Sequence, residues 1–253
     1  MPTYKTRVII ISYMKFKEAD KIIRAYSPHL GRISAIAKGA RKTKSKFGAR
    51  LEPFSYCELV LYKGRNLDIV TQIEILEPFL NIKENLKKLA YAYIIADLII
   101  RSGGESDPAR IFPFFLFSLK ELQKIDESLL KQWLIAFQLK FMILSGYKPI
   151  LDKCSSCGRK IEKLKKNVFS FKDGGLLCND CSNKREAPTV LKNETVKMLR
   201  NLSEMDIREW NRTIYSEIAQ KECQKVLENY IYYYLESKLK TIHFLREIES
   251  KYK

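Results

Sequence analysis

The chain has 253 residues, 46% of them hydrophobic, and its Lys and Arg outnumber Asp and Glu by 46 to 29, a net charge of +17. This length and apolar content suit one or two domains with real cores and no disulfide staples, while the cationic surplus points to a polyanion: DNA, RNA or an anionic lipid surface. No signal peptide is legible at the start, and the apolar stretches Tyr91 to Ile100 and Phe112 to Leu119 fall short of the roughly 20 residues of a bilayer span; a cytoplasmic protein is expected.

Residues 4–77 have the pattern of strands. YKTRVIIISYM opens with a β-branched run, DKIIRAYS follows, and GRISAIAKGA alternates Ile33, Ala35 and Ala37 against the other face. FSYCELVLYKG and LDIVTQIEILE are joined by Lys63-Gly64-Arg65-Asn66, which supplies the turn residues of a hairpin. Short strands at this spacing, with no long helical pattern between them, predict a small barrel, OB-type or SH3-like.

After Glu77-Pro78 the period becomes helical, over 82–102, 110–125 and 128–146. LLKQWLIAFQLKFMILSG is apolar on most of its circumference, as expected of a helix buried among others, and Gly146 with Pro149 marks its end. Residues 193–203 and 213–240 are helical again, with Val226, Leu227, Tyr230, Ile231, Tyr234 and Leu235 at core spacing. The fold class is therefore α+β: an N-terminal barrel over 1–80, then a helical bundle over 81–253 into which residues 150–186 are inserted. The lysine-rich tail after Arg246 is expected to fray.

That insert carries Cys154-x2-Cys157 and Cys178-x2-Cys181. Each CxxC makes a knuckle that presents two thiolates to one side of a metal, and the loop between them brings the second knuckle opposite the first. Val168 to Phe171 reads as a strand and Asp173-Gly174-Gly175 as the turn delivering Leu176 and Leu177 to the second knuckle. One structural Zn2+ is the expected occupant, and an iron–sulfur cluster stays open because it accepts the same ligands. Four thiolates fill a tetrahedral sphere and leave no position for water, which disfavours Lewis-acid catalysis. Lys153, Arg159, Lys160, Lys163, Lys165 and Lys166 surround the cluster as possible phosphate contacts. Cys57 and Cys223 read as buried apolar residues.

The densest charge is KGARKTKSKFGAR, residues 38–50, where Lys38, Arg41, Lys42, Lys44, Lys46 and Arg50 occur without an acidic residue. Such a run repels itself and suits a loop following a phosphate backbone, with Phe47 able to stack on a base. Tyr13, Tyr26, Tyr56 and Tyr62 are stacking candidates or core. His29 sits in a turn sequence and His243 near the C-terminal helix, and neither belongs to an HExxH motif. Walker, GxGxxG and GxSxG motifs are absent. Scattered carboxylates assembling into a metal nuclease, and a zinc-ribbon module that binds only protein, remain as alternatives.

Leu30 to Phe79, with KGARK, LEPF and LYKGRNLDIVTQ, resembles the N-terminal OB domain of the bacterial RecO recombination mediators. FQLKFMILSGYKPILDKCSSCG and FSFKDGGLLCNDC are similar to that family's helical domain and its zinc module. The likeness runs from about residue 4 to 240. It implies a non-catalytic DNA-repair mediator that binds single- and double-stranded DNA, anneals complementary strands, and acts on strands coated by single-strand-binding protein. The implied partners are RecR, the C-terminal tail of single-strand-binding protein, and in some pathways RecF and RecA. Zinc would sit on Cys154, Cys157, Cys178 and Cys181, and DNA on the 38–50 loop.

Overall fold

The computed structural model describes residues 2–101, 107–161, 166–183, 189–236, Thr241 and Leu245. Lys163, Lys165, His243 and the tail after Arg246 lie outside them. The architecture is mixed α+β, and the chain forms two compact units, one of Met1–Ile125 with the residues from Thr241 onward, the other of Asp126–Lys240.

In the first unit, β1 (Thr3–Phe16), β2 (Asp20–Ser27), β3 (Gly31–Ala37), β4 (Tyr56–Tyr62) and β5 (Asp68–Glu77) close into a barrel in the order β1-β2-β3-β5-β4. All neighbours are antiparallel except β3 and β5, which pair in parallel at Ala35↔Asp68 and Ile36↔Ile69. β1 is long enough to pair with β2 through one part of its length and β4 through the other, with a register irregularity between Ile10 and Ser12. There Ile10 donates its N–H to Ser55 and accepts from Phe54, so the extra residue leaves no orphan backbone group at Ile10.

Alternation sends Val8, Ile10, Ile23, Ala25, Ala35, Ala37, Leu59, Leu61 and Val70 inward. The β2–β3 wall is lined by alanines, and the space they leave is taken by Phe47 and Leu51 from the connector between β3 and β4. Large against small at facing positions is how a narrow barrel reaches close packing.

Helices α1 (Leu80–Glu84), α2 (Leu86–Arg101) and α3 (Pro108–Lys124) belong to the same unit. The single helix expected over 82–102 is two, because Asn85 is extended and its side-chain oxygen caps Lys88 N–H at 3.0 Å. Phe112 and Phe115 of α3 meet Tyr56 and Tyr26 of the barrel, and Tyr93 of α2 meets Phe54. The compact unit thus reaches well past residue 80.

The second unit centres on α4 (Leu130–Leu144), buried on nearly every side as its sequence predicts. Gln132 is tolerated there because its amide donates to the carbonyls of Trp210 and Thr213 and accepts from Tyr215 N–H. Gly146, at φ +90°, ends the helix: its N–H bonds Ile143 and that of Tyr147 bonds Met142, a Schellman closure. β6 (Asn167–Ser170) and β7 (Gly175–Leu177) form a hairpin, extended by β8 (Thr189–Leu191) on the other side of β6. α5 (Asn179–Ser182), α6 (Asn193–Glu204) and α7 (Glu217–Leu235) follow. α7 buries Val226, Leu227, Tyr230 and Ile231, while Ser216 caps it, so the segment from 213 to 216 is not helical. The three-residue β8 escaped the sequence reading, being too short to show a period.

Candidate functional site

The basic connector between β3 and β4 is anchored to the barrel it leaves. Ala40, Phe47 and Leu51 are buried in the barrel core, at 6, 2 and 0% exposure. Gly39 takes a positive φ of +68°, and its N–H donates to Asp20 Oδ1 at 2.8 Å. Arg41 donates its backbone N–H to Ala19, and its guanidinium to the carbonyl of Glu18 at 3.0 Å and that of Lys17 at 3.4 Å. Lys46 Nζ reaches the Thr71 carbonyl on β5 at 2.8 Å.

Lys38, Arg41, Lys42, Lys44, Lys46 and Arg50 are all exposed. Among the described residues none of the six pairs with a carboxylate. The anchors of Arg41 and Lys46 are carbonyl dipoles, which orient a cation without cancelling its charge. The connector therefore presents a fixed, uncompensated positive ridge. Lys17, exposed in the β1–β2 turn that holds Arg41, joins it; its distance in sequence hid this.

Phe47 is not a stacking platform. Its ring is inside the barrel, beneath Lys46 Nζ at 5.3 Å from the centroid, because an aromatic among lysines gains more from burial than from exposure, ~1.5–3 kcal/mol. Phe47→Ala is expected to destabilise the protein by ~3–5 kcal/mol, read as a lower denaturation midpoint; a variant of unchanged stability with lost DNA binding would instead put the ring at the interface. Tyr26 is core, Tyr56 and Tyr62 are half-buried, and Tyr13 alone of the four is classed as exposed, with Lys21 Nζ 3.8 Å over its ring. His29 lies in the β2–β3 turn, exposed.

The four cysteines converge. The Sγ atoms of Cys154, Cys157, Cys178 and Cys181 all lie within 4.8 Å of one another, with Cys157 and Cys178 at 3.8 Å, and none forms a disulfide. The first knuckle turns through Gly158 at φ +75°, with Gly158 N–H on Cys154 and Cys154 N–H on Arg159. Cys178 stands at the N-cap of α5, and Cys181 is within that short helix. Gly175 lets β7 approach Ile150, where a Cβ would fall 2.1 Å from the carbonyl oxygen.

Burial opposes ionisation of Cys154, but hydrogen bonds from the backbone of Cys178, Cys157 and Ser156 outweigh it and hold the thiol down to about 6. Hydrogen bonding to Cys178, with burial, pushes Cys181 up to about 12. The two shifts run in opposite directions, and a bound cation would favour the thiolate forms. Arg159 pairs with Asp180 at 2.8 Å across the two knuckles, so its charge is answered; exposed Lys153, Lys160 and Lys166 remain cationic. Among the described residues this is the one group of three or more potential metal ligands brought together, and no carboxylate cluster of the nuclease kind is assembled there. Cys57 and Cys223 are fully buried, and burial pushes the Cys57 thiol up to about 12. No helix is long and apolar enough to cross a membrane among the described residues.

Comparison with known proteins covers nearly the whole chain. Residues 1–79 match the family model described as Recombination protein O N terminal, and residues 83–243 match Recombination protein O C terminal. The chain is 32% identical to the DNA repair protein RecO of Desulforamulus reducens over 97% of its own length and 94% of that protein's. It is 36% identical to the protein of the same name from Alkaliphilus metalliredigens, over 92% and 94%, and 37% identical to that of Dehalococcoides mccartyi, over 85% and 86%. Two family models in order, and relatives this similar along their whole length, place the chain in the RecO family of DNA repair proteins.

Proposed function

We propose that this protein is a non-catalytic recombination mediator: it binds single- and double-stranded DNA through an OB-type barrel and anneals complementary strands. The observation that carries this is the ridge of six exposed cations, two of them (Arg41 and Lys46) anchored on carbonyls and all free of carboxylate partners among the described residues. Two single strands repel each other, and a fixed cationic surface lowers that repulsion without covalent chemistry. Contacts to phosphate carry no base information, so binding is sequence-tolerant. The greek-key strand order with a parallel closure supports the OB assignment. In function, residues 1–80 act as the nucleic-acid-binding domain and 81–253 as the helical domain, with 150–186 as its metal module.

For the metal, zinc fits the donors present. A tetrahedral ion with Zn–S bonds of about 2.3 Å needs sulfur atoms about 3.8 Å apart, and Cys157 and Cys178 have that spacing. Cys154, Cys157, Cys178 and Cys181 would hold the ion, which when bound supplies structural cross-linking. In the cell, a cytoplasmic protein recruited to the nucleoid during repair, it would meet RecR, the tail of single-strand-binding protein, and RecF and RecA where those pathways operate.

The deciding test is strand annealing with labelled complementary oligonucleotides, bare and coated with single-strand-binding protein. Annealing faster than the uncatalysed rate in both cases, with the strands recovered intact in Mg2+ or Mn2+, is expected. No acceleration at low salt refutes the reading, and strand cleavage replaces it with a nuclease.

A further inference from the structure

The second compact unit contains a cavity of about 450 Å³ between Ile161, β6 and α6. Asn167, Asn193, Lys197, Arg200 and Asn201 line it, and among the described residues no carboxylate does. Ile161 and Val196 are the aliphatic walls among the described residues. The polar groups are held by neighbours. Asn167 donates its amide to Asn193 Oδ1 at 2.7 Å and to the Leu191 carbonyl at 3.3 Å, and Asn201 donates to Tyr215 Oη at 3.0 Å. Arg200 gives Nε and one terminal nitrogen to the Leu151 carbonyl, at 2.8 and 2.6 Å; a guanidinium has more N–H donors than that one oxygen consumes. Glu194, one turn before Lys197, accepts from the N–H and Oγ of Ser216 on its two carboxylate oxygens. Lys197 is exposed.

A preformed hollow with two cations, and no acid among the described residues lining it, suits an anion. We propose that it is a second nucleic-acid contact, receiving a backbone phosphate of a single strand; the inference rests on the DNA-binding reading above. An acidic peptide ending in an aromatic residue is the rival occupant. It needs an apolar floor, and two aliphatic side chains among amides and cations provide little of one, so the phosphodiester is favoured.

The test uses the full-length protein and fluorescein-labelled oligothymidylate, with anisotropy followed across a salt titration. The variants are Lys197→Glu, Lys197→Gln, the fourfold alanine variant of Arg41, Lys42, Lys44 and Lys46, and their combination. Lys197→Glu is expected to weaken binding ~10-fold at low salt and Lys197→Gln ~3-fold, each lowering the magnitude of the salt slope by about 0.7. Those losses multiply with the loss from the connector, as for independent sites. Circular dichroism and metal content matching the parent protein tie the effect to the cavity, and Lys197→Gln keeps the test open if the charge reversal misfolds. Unchanged affinity and slope in both Lys197 variants, with the connector variant impaired, overturn the cavity proposal and leave the DNA-binding reading standing. Indifference of every variant overturns both. Loss of acidic-peptide binding with DNA binding intact also overturns it, and assigns the cavity to a protein tail.

Discussion

Replacing one metal ligand, Cys178→Ser, is expected to release the ion and unfold residues 150–186. The hairpin of β6 and β7 has only a small core of its own: Val168 and Leu177 with the cysteines, and Ile161 partly buried beside them. Burying two such aliphatic side chains yields ~3–6 kcal/mol, while ordering the backbone of so long a loop costs more, at ~1–2 kcal/mol per residue. A bound metal would make up the difference, since structural zinc in small modules is worth ~10–16 kcal/mol at neutral pH. Loss of one thiolate is therefore expected to remove several kcal/mol from the second unit, seen as proteolytic cleavage between the knuckles and a lower melting temperature. The barrel transition should stay where it is. A Cys178→Ser protein that melts like the parent, with a parent that holds no zinc when prepared without chelator, would overturn the metal assignment.

The fourfold substitution of Arg41, Lys42, Lys44 and Lys46 by alanine is expected to weaken single-stranded DNA binding by ~10²- to 10³-fold near 0.1 M salt, equally for all sequences. Each phosphate contact on a single strand contributes about 0.7 to the slope of log affinity against log salt, so four contacts lower the slope by about 3. Stability should change far less. Lys42 and Lys44 are exposed, and the Arg41 and Lys46 hydrogen bonds to carbonyls are worth ~1 kcal/mol each. The contrast with Phe47→Ala separates the two faces of one connector: the lysines and Arg41 govern the salt slope, the phenylalanine governs the denaturation midpoint. A fourfold variant with unchanged slope would remove the connector from the interface.

Much of this molecule was legible along the chain because the relevant signals are local. Strand alternation in YKTRVIIISYM and DKIIRAYS, the all-round apolar pattern of α4, and the stop at Gly146 arise from residues a few positions apart. The two CxxC pairs are similar: knuckle geometry is local, so their spacing alone brought four thiols together on paper as they are in space. The acid-free run from Lys38 to Arg50 was equally plain, and its charges are exposed as expected.

Inside and outside within that run, by contrast, were decided only by tertiary packing. Phe47 looked like an exposed aromatic among lysines until the alanine-lined wall of β2 and β3 provided a space of its size, and that fit depends on residues far from it in sequence. The parallel pairing of β3 with β5, the seat of Arg41 on the β1–β2 turn, and the gathering of α1 to α3 with the barrel have the same origin. So does the cavity suited to an anion, whose walls come from Ile161, Asn167 and one face of α6. Composition and period specify which residues attract polyanions and metal; long-range contact alone decides which of them are held in place to do so.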